Sequence, residues 1–257
     1  MNKIIPSTII ANAYRLFLNN SFFIISLILI VITTSVLFST IQEAMLEASS
    51  IQWSVFSIAS QLFTMGLSLG MSHAMILLIH AKEASIAHMF EKFDLIFRYL
   101  GATILFSIAL LIAMIPGLII LSLSIDISSI LTFNIVDYLF NRPEIDFRSV
   151  QITNTSIVGL VLILIGFLYV YVRLQFYQYS ILYKKRNAIH SLQESYFITK
   201  NNITELLTLL LIIISINILG ALLIFGLFIS LPISMIAIIM AYFSLINEEN
   251  QEEQVKE

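Results

Sequence analysis

The sequence predicts an all-α, polytopic membrane protein with six transmembrane helices. Of the 257 residues, 59% are hydrophobic and only 11% are charged, whereas a soluble domain carries roughly 25% charged residues. Because so few charges would not keep a globular surface wetted, we expect lipid to be the solvent. The run from Leu206 to Asn247 is 42 residues long and contains no Asp, Glu, Lys or Arg. A crossing needs about 20 apolar residues, so this run predicts two crossings joined by a tight turn.

Other uncharged runs place the remaining spans. Arg15 and Glu43 are separated by 27 uncharged residues, and so are Arg98 and Asp126. The predicted spans are 22–41, 56–79, 99–125, 155–183, 203–224 and 227–246. The fourth apolar pattern is longer than a crossing needs, so its end is expected to project past the hydrocarbon core. Residues 1–247 are thus predicted to form a single six-helix transmembrane domain, and the acidic segment 248–257 a disordered cytoplasmic tail.

Amphipathic segments precede three of these spans, at 4–17, 84–98 and 187–200. In the first, Ile5, Ile9 and Ala13 share one helical face,. In the third, one face holds Ile189, Leu192 and Tyr196, and another holds His190, Gln193 and Glu194. Such segments are typical of helices that lie in the membrane surface. The chain is therefore predicted to contain three parallel repeats of an amphipathic helix plus a two-helix hairpin.

The distribution of basic residues predicts the orientation. Six crossings place both termini on one side, and 11 of the 13 Lys and Arg residues fall on that side. Only Arg142 and Arg148 fall on the other. Cytoplasmic loops carry the excess of Lys and Arg, so both termini are predicted to be cytoplasmic in the bacterial cytoplasmic (inner) membrane. The first 20 residues lack a signal-peptide pattern, so the first span is expected to be retained.

Composition also excludes several kinds of chemistry. The net charge of −3 gives no electrostatic support for nucleic-acid binding,. The absence of cysteine excludes disulfides, thiol catalysis and thiolate metal ligands,. The four histidines show no metal-ligand spacing, so neither a metal site nor a cofactor is predicted. No catalytic residues are predicted either.

Two polar positions are the candidates for a lipid or solute contact. His73 lies inside the second span, where an ionisable residue suggests function; the alternative is a neutral histidine that bonds a neighbouring helix. Arg173, with Gln175 and Gln178, is placed to hold an anionic lipid headgroup; the alternative is an arginine that snorkels to the interface. His80 and His88 are interpreted as solvated residues at the cytoplasmic rim.

Prolines inside two spans predict local distortion. Pro116 with Gly117 in the third span, and Pro232 in the sixth, each remove a backbone donor and are expected to kink their helices. Asn217 in the fifth span is expected to hydrogen-bond across helices. We interpret these features as packing, although the two prolines could also mark hinges.

A pattern late in the chain resembles a known family. It consists of Ala188 and Ser195, the run Thr199-Lys200-Asn201-Asn202, and a hairpin with Gly220, Gly226 and Pro232; Ile115-Pro116-Gly117 and Arg173-Leu174 also fit. It resembles the signature of YciC-like uncharacterised bacterial inner-membrane proteins, which are related to the glycerophosphoryl diester phosphodiesterase membrane domain. Asn201 stands where that signature has glycine. The resemblance implies a six-helix inner-membrane protein and supplies no catalytic residues.

Three functions remain open. The first is a non-catalytic envelope role in membrane organisation or in lipid or partner interaction. The second is a carrier or lipid-handling transporter, and the third is a membrane-interface enzyme that uses the acidic loop 126–154. The expected partners are membrane lipids, with a membrane-protein partner or a homo-oligomer left open and no nucleic acid.

Overall fold

The computed structural model describes residues 4–45, 50–124, 153–223 and 226–256, with side chains through Ile246. These residues form α-helices and two short 3-10 helices, with no β-strand among them. In chain order the α-helices are α1 (Pro6–Asn19), α2 (Ser21–Met45), α3 (Ile51–Ile79), α4 (Ile96–Ser124), α5 (Asn154–Leu174), α6 (Tyr177–Lys184), α7 (Ala188–Ile198), α8 (Ile203–Leu222) and α9 (Leu227–Lys256). The two 3-10 helices, Ile86–Met89 and Phe93–Leu95, lie between α3 and α4.

The described residues contain six helical stretches that are long and apolar enough to cross a bilayer. They correspond to α2, α3, α4, α5 continued by α6, α8, and the portion Leu227–Ile246 of α9. The all-α, six-span fold class is thereby confirmed. The chain is an integral, multi-pass membrane protein.

By its internal contacts the chain divides into two compact units. One unit comprises Met1–Thr103 and Arg173–Glu257, and the other comprises Ile104–Val172. In the first unit α1 packs against α9, and its residues Ile9, Ala13 and Phe17 are buried. The same unit pairs α2 with α3, α6 with α7, and α8 with α9. The single domain predicted for 1–247 stays a prediction.

The second unit is held together by close backbone contact between parts of α4 and α5. A Cβ built on Gly117 would lie 2.6 Å from the Ile163 backbone nitrogen and 2.7 Å from the Gly159 carbonyl oxygen. Only a residue without a side chain fits this approach. Helix α4 continues through Pro116, and α9 continues through Pro232. The kinks at Pro116, Gly117 and Pro232 stay predictions.

Helix α3 ends in a hydrogen-bonded left-handed turn. Ala81 has a φ of 53°, its amide donates to the Leu78 carbonyl at 3.0 Å, and the Lys82 amide donates to the Leu77 carbonyl at 2.9 Å. These two bonds form the Schellman arrangement that satisfies the last carbonyls of a helix. The turn sends the following segment back along α3.

The segment 84–98 was expected to be an amphipathic helix, and this prediction is wrong. Two 3-10 helices take its place, before α4 begins at Ile96. The backbone of Met89 occupies the space that a Cβ of Gly70 would fill, so the segment lies directly on α3. The Ser85 amide also donates to Nδ1 of His88 at 2.9 Å, which fixes a tight first turn. Contact with α3 therefore decides the local conformation, and the threefold repeat stays a prediction.

Two further observations concern helix ends. The fourth span is interrupted between Leu174 and Tyr177, so its end does not project as a continuous helix. The α9 backbone is helical through Lys256, across the segment predicted to be a disordered acidic tail. Glu and Gln, which are frequent there, are good helix formers,. The order of that tail stays a prediction.

We predict that Gly70→Ala destabilises the protein by about 1–3 kcal/mol, the usual cost of overpacking. The added methyl group has no room unless the Met89 backbone moves. Thermal unfolding in detergent, followed by circular dichroism, measures the effect.

The matched control is Gly101→Ala, whose Cβ would meet only the Ala188 side chain at 3.6 Å. In the control, stability should stay equal or rise by up to about 1 kcal/mol, because alanine is the better helix former. Equal losses in the two variants would contradict the proposed contact between Gly70 and Met89.

Candidate functional site

The interruption between α5 and α6 is closed by a serine of α7. Ser195 Oγ donates to the Arg173 carbonyl at 2.9 Å and accepts from the Phe176 amide at 3.1 Å. Ser195 is fully buried. The Phe176 amide would otherwise lack a partner where water does not reach it, which is costly, and the Arg173 carbonyl would keep only the Thr199 hydroxyl at 3.3 Å. One hydroxyl therefore replaces two helical hydrogen bonds and ties α7 to the interruption.

Arg173 is buried beneath the end of α7, with only 4% of its surface exposed. Its guanidinium carbon lies 3.7 Å from the centre of the Tyr196 ring, and Nη1 donates to Thr199 Oγ1 at 3.3 Å. Its Nε has no hydrogen-bond partner. The guanidinium is therefore enclosed by residues of α7, and the choice between a lipid contact and an arginine that snorkels to the interface stays a prediction.

Helix dipoles help to stabilise the buried positive charge of Arg173. Arg173 stands in the last turn of α5, and its partners Tyr196 and Thr199 stand at the end of α7. A helix C-terminus carries the equivalent of about half a negative charge, so two such ends stabilise one cation. The cation–π contact with Tyr196 adds to this. The buried charge is thus compensated largely by backbone and aromatic groups.

Gln175 and Gln178 do not share the surroundings of Arg173. The Tyr99 hydroxyl donates to Gln178 Oε1 at 3.5 Å, so Gln178 faces the start of α4. Gln175 is half-buried within the interruption. Arg173 and Gln178 therefore contact different neighbours. A joint lipid or solute contact of Arg173, Gln175 and Gln178 stays a prediction.

His73 has a carboxylate neighbour that the sequence did not reveal. Its Nε2 lies 3.5 Å from Glu91 Oε2, and His88 Nε2 lies 3.7 Å from Glu91 Oε1. The glutamate belongs to the segment between the 3-10 helices, which the contact at Gly70 brings onto α3. The structure thus places the His73 ring beside a carboxylate of an adjacent segment, and both interpretations, a neutral histidine that bonds a neighbouring helix and a lipid or solute contact, stay predictions.

The histidines at the rim are more constrained than expected. His80 Nδ1 lies 2.9 Å from the Ile76 carbonyl oxygen, and its ring contacts Tyr183 and Phe243 at centroid distances of 6.0 and 4.6 Å. His88 accepts a hydrogen bond from the Ser85 amide. Both residues therefore have defined partners. Among the residues that the structure describes, no group of three or more His, Cys, Asp or Glu is arranged to hold a metal ion.

An ion-pair cluster on α7 was missed from the sequence. Glu194 is largely buried, Lys184 Nζ lies 2.7 Å from its Oε1, and Arg186 Nε lies 3.5 Å from its Oε2. Ser180 also donates to Oε2 at 2.8 Å. The available signal was that Glu194 is the one acidic residue of 187–200 and follows the basic run at 184–186. The cluster fixes the end of α6 on α7.

A polar seam joins α8 and α9 within the membrane. Asn217 Nδ2 donates to Ser234 Oγ at 2.9 Å, which confirms a bond across helices, and Ser234 Oγ donates to the Ser230 carbonyl at 2.7 Å. Asn217 Oδ1 and Ser230 Oγ are buried without a hydrogen-bond partner. Pro232 lies in the same turn and cannot donate to a preceding carbonyl. The seam therefore concentrates unused polar atoms in an apolar environment.

Comparison with family models, curated proteins and solved structures finds no match. The assignment as an integral membrane protein accordingly comes from the six apolar helices alone.

We predict that Ser195→Ala destabilises the protein by about 1–3 kcal/mol, because it leaves the buried Phe176 amide without a partner, whereas the Arg173 carbonyl still has Thr199 Oγ1 within 3.3 Å. Unfolding by a denaturing detergent, read by tyrosine fluorescence, provides the measurement.

Ser191→Ala is the matched control on the same helix. Ser191 is equally buried but donates only to Ala188 within its own helix at 2.7 Å. Its loss should cost less than about 1 kcal/mol. If the two alanine variants lose the same stability, Ser195 does not stabilise the interruption between α5 and α6.

Proposed function

We propose that this chain is a non-catalytic protein of the bacterial inner membrane that interacts with lipid or with a partner through its surface-lying elements. The observation that carries the proposal is the exposure of apolar side chains on elements that are not spans. The exposed side chains are those of Ile5, directly before α1, Leu18 of α1, Phe90 between the 3-10 helices, and Ile189 and Phe197 of α7. Each element packs its other face on the spans.

Basic residues accompany these apolar surfaces. Arg15, Lys82, Arg98, Lys185 and Lys200 are exposed on or beside the same three elements. Apolar and basic side chains together suit the boundary between headgroups and acyl chains. The elements would therefore form a collar in one leaflet.

The distribution of charge supports a cytoplasmic position for this collar. Of the 13 basic residues in the sequence, only Arg142 and Arg148 are assigned to the opposite side, and both lie outside the described residues. Because the positive side of a membrane protein faces the cytoplasm, both termini belong there. Membership of the YciC-like family stays a proposal that rests on the residues of 188–202 and the following hairpin.

We predict that single cysteines introduced by Met45→Cys and Lys185→Cys are labelled from opposite faces of intact cells. The natural sequence contains no cysteine, so each label reports one position. Met45 ends α2 and should react with an impermeant maleimide added outside; Lys185 should react only after permeabilisation. Ser35→Cys, in the middle of α2, should stay unlabelled until the protein is denatured.

Labelling of positions 45 and 185 from the same face would overturn the six-span topology. Labelling of position 185 alone from outside would overturn the orientation and leave the spans intact.

The polar seam favours a second candidate, a carrier or lipid-handling transporter. Asn217 Oδ1 and Ser230 Oγ offer unused hydrogen-bonding capacity beside Pro232. Broken helices and free polar groups at membrane depth are features of transporter binding sites. The third candidate, a membrane-interface enzyme, would use a loop of which 125–152 lies outside the described residues.

Under the carrier hypothesis, Asn217→Leu should abolish restoration of the lipid profile in a deletion strain, because leucine removes the unused oxygen and the bond to Ser234. Thr208→Val is the control on the same helix, since Thr208 is exposed and bonds only to Thr204. Lipidomics of the complemented strains provides the measurement. Full restoration by the Asn217 variant would contradict the carrier role of the seam.

A further inference from the structure

Two distant segments bring basic side chains together where α4 begins. Arg98 Nη1 donates to the Lys185 carbonyl at 3.0 Å across 87 positions of sequence. Lys185 has a φ of 52°, which turns the chain between α6 and α7. Lys184 and Arg186 flank it. We name the four residues Arg98, Lys184, Lys185 and Arg186 the basic corner.

Only part of the charge in the basic corner is neutralised within the protein. Glu194 is shared by Lys184 at 2.7 Å and Arg186 at 3.5 Å. Arg98 and Lys185 are exposed and form no ion pair with a carboxylate among the described residues. One carboxylate therefore faces four cations, and the corner keeps a surplus of positive charge.

Apolar side chains border this surplus charge. Phe97 is 78% exposed directly before Arg98, and Ile189 is 59% exposed one residue into α7. Water would disfavour such side chains on an otherwise charged surface, whereas the boundary of a bilayer accommodates both. Because α4 continues from Phe97 into a membrane span, the occupant of this surface is the bilayer itself.

We propose that the basic corner binds the phosphate groups of anionic phospholipids in the leaflet that holds the collar. This inference rests on the proposed interaction with lipid and adds its place and lipid class. Basic residues that only set the orientation of the protein in the membrane need to lie in a cytoplasmic loop, and they need no fixed positions relative to one another. The hydrogen bond from Arg98 to the Lys185 carbonyl is such an arrangement, and it holds the Arg98 guanidinium against the turn that carries Lys185.

The test titrates the purified protein in detergent with phosphatidylglycerol or with phosphatidylethanolamine and counts bound lipids by native mass spectrometry. The wild type should prefer the anionic lipid. In the double variant with Arg98→Gln and Lys185→Asn, that preference should fall about 25-fold, since each basic residue contributes about fivefold, the equivalent of about 1 kcal/mol. Asn tolerates the left-handed backbone at position 185, and the pairs with Glu194 remain.

The single variant Lys185→Asn should lose about fivefold, and its matched control is Lys256→Gln, which removes one positive charge from α9, outside both the basic corner and the collar. The control should keep the wild-type preference, and Arg98→Lys, which conserves the charge, should keep most of it. An unchanged preference in the double variant, or a loss in the control equal to that of Lys185→Asn, would overturn the proposal. Lipid in detergent reaches both ends of the protein, so this result does not depend on membrane orientation and is distinguishable from a failure of the cysteine-labelling prediction.

Discussion

A helix that stops inside a membrane protein exposes backbone groups that lipid cannot satisfy. At the interruption of the fourth span these groups are the Arg173 carbonyl and the Phe176 amide, and the Ser195 hydroxyl serves both. The adjacent residue, Glu194, holds Lys184 at the other end of α6. Two consecutive residues of α7 thus fix the beginning and the end of one short helix. The position of α7, and with it the geometry of the basic corner, depends on this pair of contacts.

The six spans could be predicted because the hydrocarbon thickness sets the length of an uncharged helix. The interruption of the fourth span could not be predicted in the same way. Residues 174–176 contain neither proline nor glycine, and the hydroxyl that stabilises the break comes from 19 positions along the chain. The conformation of 84–98 could not be predicted from its own pattern either, because it depends on the space that Gly70, which has no side chain, leaves on α3. Patterns within a segment predict helices well, and contacts between segments decide where they end.

Helix α7 shows why candidate residues were harder to predict than spans. Its fully buried positions are Ser191 and Ser195, whereas Ile189 and Phe197 are exposed. In water an apolar face turns inward; beside lipid, small polar residues can pack inward and apolar ones outward. The same inversion explains Glu194, which the pattern placed on an outer face and which is largely buried. Helix α7 thus differs from α1, whose buried residues Ile9, Ala13 and Phe17 are apolar.

The cations of the basic corner, together with Arg173, fall into three classes according to the groups that compensate their charge. Lys184 and Arg186 share a buried carboxylate, and Arg173 is compensated by two helix termini and an aromatic ring,. Arg98 donates to the Lys185 carbonyl at the end of α6, but neither Arg98 nor Lys185 forms an ion pair with a carboxylate among the described residues. A charge that is buried must be balanced by the protein, whereas an exposed one can be balanced by its surroundings. For exposed residues beside a membrane span those surroundings include lipid phosphate, which is the physical basis of the lipid contact proposed for Arg98 and Lys185.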